Sequence, residues 1–66
     1  METHGCDNKE DALWCLADTV EMSYTTSLYW DDIIANWAEV AKHFGATDKE
    51  VNEAYEKGRD KGQAQL

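Results

Sequence analysis

The sequence has no long apolar run, few basic residues and only two cysteines. No stretch approaches the roughly 18 apolar residues that a membrane span requires. The first residues also show neither the basic start nor the apolar stretch of a secretion signal. We therefore expect a cytoplasmic protein without membrane contact. The 66 residues predict a single small helical domain, residues 1–66, with a thin stability margin and little room for a buried active site.

Positive charge is scarce, and its distribution is uneven. Fourteen acidic residues face six lysines and arginines, for a formal net charge of −8. Residues 1–33 hold eight acids and one base, whereas residues 34–66 hold six acids and five bases. Such a field disfavours nucleic acids and anionic membranes and speeds encounter with basic partners. The alternative is that the charge only keeps a small protein in solution.

Apolar spacing predicts an all-α fold, a compact bundle of three helices. The helices are predicted at about 8–23, 27–44 and 48–57. Asp7 is the expected cap of the first helix, Gly45 ends the second and Gly58 ends the third. The middle helix is the longest in this prediction. Residues 1–7 are expected to form a flexible arm and residues 59–66 a frayed tail.

The side chains expected to face the core lie on one face of each helix. The first helix contributes Leu13, Leu16, Ala17, Val20 and Tyr24. The second contributes Trp30, Ile33, Ile34, Trp37, Val40, Ala41 and Phe44. The third contributes Val51, Ala54 and Tyr55. Thr47 and Glu50 have the spacing of a capping box at the start of the third helix.

Residues 37–56 contain a recurring arrangement of apolar, small and glycine positions. An apolar and a small residue come late in one helix, an apolar anchor precedes a turn glycine, and apolar anchors follow in the next helix. The residues in that order are Val40, Ala41, Phe44, Gly45, Val51 and Ala54. The stretch resembles the helix-turn-helix of repressors and excisionases. The resemblance implies helix-turn-helix-like geometry for the second and third helices, with the start of the third facing a DNA major groove.

The outward residues of this stretch argue against a DNA-reading role. In a dimeric helix-turn-helix regulator the DNA-binding residues would be Lys49, Asn52, Lys57 and Arg59. Residues 37–56, however, hold five acids and two bases, and affinity for DNA comes from basic contacts that release counterions. We expect the helix-turn-helix frame without strong DNA binding.

Cysteine and histidine chemistry is sparse. His4, Cys6, Cys15 and His43 are the candidate zinc ligands, but their spacing is not a familiar one. A disulfide between the cysteines would require the N-terminal arm to fold back on the first helix. We expect reduced thiols, no bound metal and no cofactor. A Cys15–His43 nucleophile would lack an oxyanion-stabilising loop, so we expect no enzymatic activity.

The aromatic supply indicates an interaction surface. Trp14 lies about 100° off the core face of the first helix, one residue beyond Leu13, and Tyr29 flanks that of the second. Partly exposed rings among acids are typical of a protein-binding patch or a dimer seam. Half-buried rings with no such role are the alternative. The predicted partner-binding residues are Asp11, Trp14, Asp18, Glu21, Tyr29, Asp31 and Asp32.

These features predict a non-enzymatic acidic interaction module. It would act as a regulator or inhibitor that docks on a basic surface of a partner, such as a nucleic-acid-handling protein. In one version the acids imitate DNA phosphates, as expected of small phage or mobile-element proteins. The alternatives are a dimeric helix-turn-helix transcriptional regulator and a structural subunit of a larger assembly.

Overall fold

The computed structural model describes residues 5–25 and 30–65, which form three helices. These are α1 (Lys9–Met22), α2 (Trp30–His43) and α3 (Asp48–Ala64), and no strand occurs in the described ranges. The prediction of an all-α three-helix bundle is therefore confirmed. The predicted start of the second helix at residue 27 lies outside the described residues. None of the described helices has the length and apolar character needed to cross a bilayer.

The helices run up, down and up, so that α1 and α3 are parallel. Lys9 at the start of α1 forms an ion pair with Glu50 at the start of α3. At the opposite end, the side chain of Gln65 donates a hydrogen bond to Glu21. Helix α2 runs back between these two ends, antiparallel to both.

Helix α1 is the centre of the bundle. It packs extensively on both α3 and α2, which touch each other much less. One apolar cluster joins Ala12 of α1 to Val40 and Ala41 of α2. A second cluster joins Leu16 and Val20 of α1 to α3. Because α1 is covered on two sides, it also buries Ala12 and Thr19, which lie outside the predicted apolar face.

Local capping signals place the helix ends. Helix α2 ends in a Schellman motif, with Gly45 at φ +96°. The N–H of Gly45 donates to the carbonyl of Lys42 and that of Ala46 to the carbonyl of Ala41, both at 3.0 Å. The predicted capping box of α3 is confirmed, with both reciprocal hydrogen bonds present between Thr47 and Glu50.

The cap of α1 differs from the prediction. Asn8, not Asp7, precedes the first helical residue, and its Oδ1 accepts the backbone N–H of Asp11 at 2.9 Å. Asparagine and aspartate are comparable caps, so sequence preference alone did not separate the two neighbours.

The prediction that the third helix ends at Gly58 is wrong. Helix α3 continues through Gly58 and Gly62 to Ala64, which makes it the longest helix and places residues 59–64 in regular structure rather than in a frayed tail. Both glycines are buried against α1. A Cβ at Gly58 would overlap the carbonyl oxygen of Ala17 and lie 2.8 Å from the Cβ of Val20. These glycines therefore let two helices approach closely and do not act as stop signals.

The segment before α1 is also better packed than predicted. Cys6 is only 8% exposed and belongs to the cluster formed by Ala12, Val40 and Ala41. Within the predicted arm, Cys6 therefore packs against the bundle, while residues 1–4 are outside the described ranges.

Two residues predicted to face the core are exposed. Ile33 keeps 39% and Tyr55 41% of their surface accessible. Apolar periodicity directs the side chains of Ile33 and Tyr55 toward an interface between α2 and α3. That interface is small, because each of these helices packs mainly on α1.

Candidate interaction groove

An open groove of about 450 Å³ runs between α1 and α3. From α1 it is lined by Glu10, Leu13, Trp14, Ala17, Asp18 and Glu21. From α3 it is lined by Glu50, Glu53, Ala54, Lys57 and Lys61. The described lining residues all come from these two helices, so the groove lies on a face of the bundle to which α2 does not contribute.

The floor of the groove is apolar and one wall is aromatic. Leu13 and Ala17 are half-buried, and Ala54 of α3 is buried beside them. Trp14 rises above this floor with 69% of its surface exposed, the largest exposed fraction among the large apolar side chains that the structure describes. An indole held in water beside an apolar floor offers a partner a substantial area to bury.

Acidic side chains dominate the rim. The described lining residues include five carboxylates and two lysines. Asp18 and Glu21 are half-buried, whereas Glu10 and Glu53 are exposed. The field over the groove is therefore negative at neutral pH, and it attracts cationic groups.

Glu50 is the most constrained of these carboxylates. Its Oε2 lies 2.9 Å from Nζ of Lys9, and its Oε1 accepts the N–H of Thr47 at 3.0 Å. The hydrogen bond from Lys9 and then that from Thr47 hold the pKa of Glu50 below its ordinary value of 4.5. The same contact raises the pKa of Lys9 above 10.5. This pair fixes the start of α1 to the start of α3 and so defines one end of the groove.

The predicted partner-binding residues fall on different surfaces. Trp14, Asp18 and Glu21 come together in the groove. Asp11 is exposed on α1 outside the lining. Asp31 and Asp32 are exposed in the first turn of α2, where Asp32 borders a shallow depression formed with Ile33, Asn36 and Trp37. Tyr29 lies outside the described residues.

The predicted DNA-binding residues do not form one basic face. Lys49 and Asn52 are exposed near the start of α3, and Nζ of Lys49 lies 4.0 Å from Glu53. Nε of Arg59 lies 3.8 Å from Oδ1 of its neighbour Asp60. Lys57 lines the acidic groove. Each of these three cations thus has carboxylates close by.

Cys15 contacts the first apolar cluster. It packs against the cluster that contains Cys6, and both cysteines are free thiols. Burial raises the pKa of Cys15, and the adjacent Cys6 thiol raises it further through charge and a hydrogen bond. His43 is exposed, with its ring edge-on to Phe44 at a centroid distance of 5.3 Å.

Sequence reasoning missed the α3 side of the groove. The sequence indicates Glu50 only as a capping residue and Lys57 only as a candidate DNA-binding residue. A usable signal was present in α1, where Glu10, Trp14 and Asp18 follow at steps of four residues and share one helix face. The α3 partners could not be assigned, because the sequence did not show that α3 packs along the whole of α1.

The fold and groove define a small helical bundle with an acidic surface cleft. Comparison of the chain with protein-family models, with characterised proteins and with solved structures found no match.

Proposed function

We propose that this protein is a non-enzymatic interaction module that binds a basic surface of a partner protein through the α1–α3 groove. The observation that carries the proposal is Trp14, which is 69% exposed on the wall of a groove with an apolar floor and an acidic rim. Binding energy in protein interfaces concentrates in a few aromatic anchors, and the surrounding charges set partner choice and encounter rate.

The test is capture of a partner on the immobilised full-length chain, followed by affinity measurement with the purified partner. We expect Trp14→Ala to weaken binding at least about tenfold, as is typical when an aromatic anchor is removed. Asp18→Asn should weaken it less and reduce its dependence on salt.

A matched control comes from the other acidic surface. The double variant Asp31→Asn, Asp32→Asn removes two exposed charges from the first turn of α2, away from the groove. It should leave affinity nearly unchanged. If binding depends on these aspartates but not on Trp14, the partner binds to α2, and the proposal that the groove is the binding site is wrong.

The finer form of the proposal is that the acids imitate DNA phosphates and block a nucleic-acid-binding partner. The negative rim supports this form. It predicts that the captured partner loses its nucleic acid when the protein is added, and that Trp14→Ala restores nucleic-acid binding. Simultaneous binding of nucleic acid and this protein would rule out mimicry while leaving the interaction module in place.

DNA binding by the helix-turn-helix-like stretch is the competing function. Micromolar protein that shifts random duplex DNA at moderate salt, with the shift abolished by Lys49→Ala and Asn52→Ala, would establish it and overturn our proposal. Because carboxylates lie beside Lys49 and Lys57, we expect no such shift of DNA.

We also propose a cytoplasmic location. The free thiols of Cys6 and Cys15 support a reducing compartment. Cells are lysed in denaturant without reductant, and the unfolded chain is treated with an alkylating reagent. The reagent should label both cysteines. A population that resists labelling until a reductant is added would contradict this location.

A further inference from the structure

We propose that the occupant of the groove is one amphipathic α-helix of the partner, lying antiparallel to α1 and α3. This inference rests on the proposed function and specifies its ligand. It follows from the shape of the groove, the uneven charge along it and the way in which α2 packs on the same helix.

The shape suits a helix. The walls are two parallel ridges on neighbouring helices, with residues at three- and four-residue steps: Glu10, Trp14, Asp18 and Glu21 on α1, and Glu50, Glu53, Lys57 and Lys61 on α3. The eleven steps from Glu10 to Glu21 span about 17 Å at 1.5 Å per residue, or about three helical turns. An apolar strip at i, i+3 or i+4 and i+7 on a partner helix would meet the apolar floor, and Trp14 would cover its flank.

The charge in the groove is uneven along its length. Glu10, Glu50 and Glu53 lie where α1 and α3 begin and make that end acidic. At the other end Lys57 and Lys61 offset the charges of Asp18 and Glu21. A stable helix carries its acids near the N-terminus and its bases near the C-terminus, because these positions oppose the helix dipole. Such a helix matches the groove in one direction, with its basic C-terminal turn at Glu10 and Glu53. That direction is antiparallel to α1 and α3.

Helix α2 follows the same rule on another side of α1. It has Asp31 and Asp32 in its first turn and Lys42 and His43 in its last, and it runs antiparallel to α1. Nζ of Lys42 lies 2.9 Å from Oδ1 of Asp48 at the start of α3. The basic C-terminal end of α2 thus already lies beside the N-terminal ends of α1 and α3.

Three labelled synthetic peptides of identical length test the proposal by fluorescence anisotropy with the full chain. The forward peptide has acids in its first turn, lysines in its last turn and an apolar strip between them. The swapped peptide exchanges the two charged ends, and the broken peptide carries a proline at its centre. We expect the forward peptide to bind about tenfold more tightly than the swapped one, since at the acidic end of the groove the contacts change from attraction to repulsion. The broken peptide should lose most of its affinity.

Because the swapped peptide is itself a weaker helix former, the protein variants decide the direction. Lys57→Glu with Lys61→Glu makes the groove acidic throughout, so it should remove most of the preference for the forward peptide. Lys49→Glu is the matched control, since Lys49 is exposed on α3 outside the groove and should leave the preference intact.

The outcomes separate this inference from the proposed function. Equal binding of all three peptides, lost in Trp14→Ala, would refute an ordered helical occupant and leave a basic partner at the groove. If none of the peptides binds while partner capture still depends on Trp14, an ordered helical occupant is likewise refuted and the proposed function stands. Failure of both peptide binding and Trp14-dependent capture would refute the proposed function as well. A dimer that dissociates on Trp14→Ala would assign the groove to a second copy of the chain and overturn the inference.

Discussion

Replacement of Gly58 by alanine should destabilise the protein, although the same change stabilises most helices. In an ordinary helix interior, glycine to alanine gains about 1 kcal/mol. Here the new Cβ would overlap the carbonyl oxygen of Ala17 and lie 2.8 Å from Cβ of Val20. One of these contacts is backbone, so the two helices would have to separate. Overpacking of this kind costs about 1–3 kcal/mol, and a backbone clash belongs at the upper end. The net loss is therefore about 2 kcal/mol.

That loss is large for a chain of this size. At about 0.05–0.15 kcal/mol per residue, the whole domain has roughly 3–10 kcal/mol of stability. In a domain of this length, 1 kcal/mol moves the melting temperature by about 4–8 °C. We therefore expect Gly58→Ala to lower Tm by roughly 8–16 °C, measured by thermal unfolding with far-UV circular dichroism and checked by urea unfolding.

Two variants in the same helix calibrate the measurement. At Gly62 the nearest atom to a new Cβ is Cδ2 of Tyr24, at 2.5 Å, and this ring belongs to a side chain that can rotate. The loss in Gly62→Ala should accordingly be smaller. Gln63→Ala changes an exposed position and should leave Tm nearly unchanged. If Gly58→Ala instead raises Tm, α3 does not pack closely on Ala17, and Gly58 is an ordinary position in the helix interior.

Three further predictions concern the α2 turn, the end of the groove and the thiols. Gly45→Ala should cost about 1–2 kcal/mol in urea unfolding, because φ is +96° and no nearby atom adds a clash; an unchanged midpoint would contradict the left-handed turn. The lowered pKa of Glu50 contributes stability that is present above pH 4.5 and is lost as the pH falls through the folded-state pKa. The raised pKa of Lys9 contributes stability that is lost only above pH 10.5. Glu50→Gln should therefore lower Tm at neutral pH and flatten its decline in acid, and an unaltered Tm–pH profile would refute the ion pair. Because its pKa is raised, Cys15 should react with a thiol reagent at pH 8 more slowly than free cysteine, and Cys6→Ala should restore only part of the rate, since burial is the larger cause; a rate equal to that of free cysteine would contradict the packing.

The features that the sequence predicts correctly are local ones. The glycine after Phe44 and the Thr47–Glu50 spacing act within a few residues, and both appear in the structure as a Schellman motif and a capping box. Apolar periodicity likewise places all three helices, because a face of 3.6-residue period depends only on the helix itself.

Apart from the cap of α1, the errors share a tertiary cause. Glycine marks helix ends and close helix contacts alike, and the sequence around Gly58 does not distinguish them. The contact with Ala17 lies 41 positions away and decides between them. The same contact brings Ala54 and Lys57 beside α1 and so completes the groove. When Gly58 is taken as a helix end, the close packing of α3 on α1 is lost, and with it the reason to expect a groove between them.

The central position of α1 explains why this three-helix bundle has an acidic outer surface. Because α2 and α3 cover two of its sides, α1 presents an outward strip that carries Glu10, Trp14 and Asp18. In α3, Lys57 faces that strip across the groove, while Lys49 lies beside Glu53. The lysines of the second half of the chain are therefore held near carboxylates of the same molecule, which lowers what they could contribute to binding phosphates. The uncompensated acids remain around Trp14, and this distribution supports the proposal that a cationic, partly apolar helix binds there.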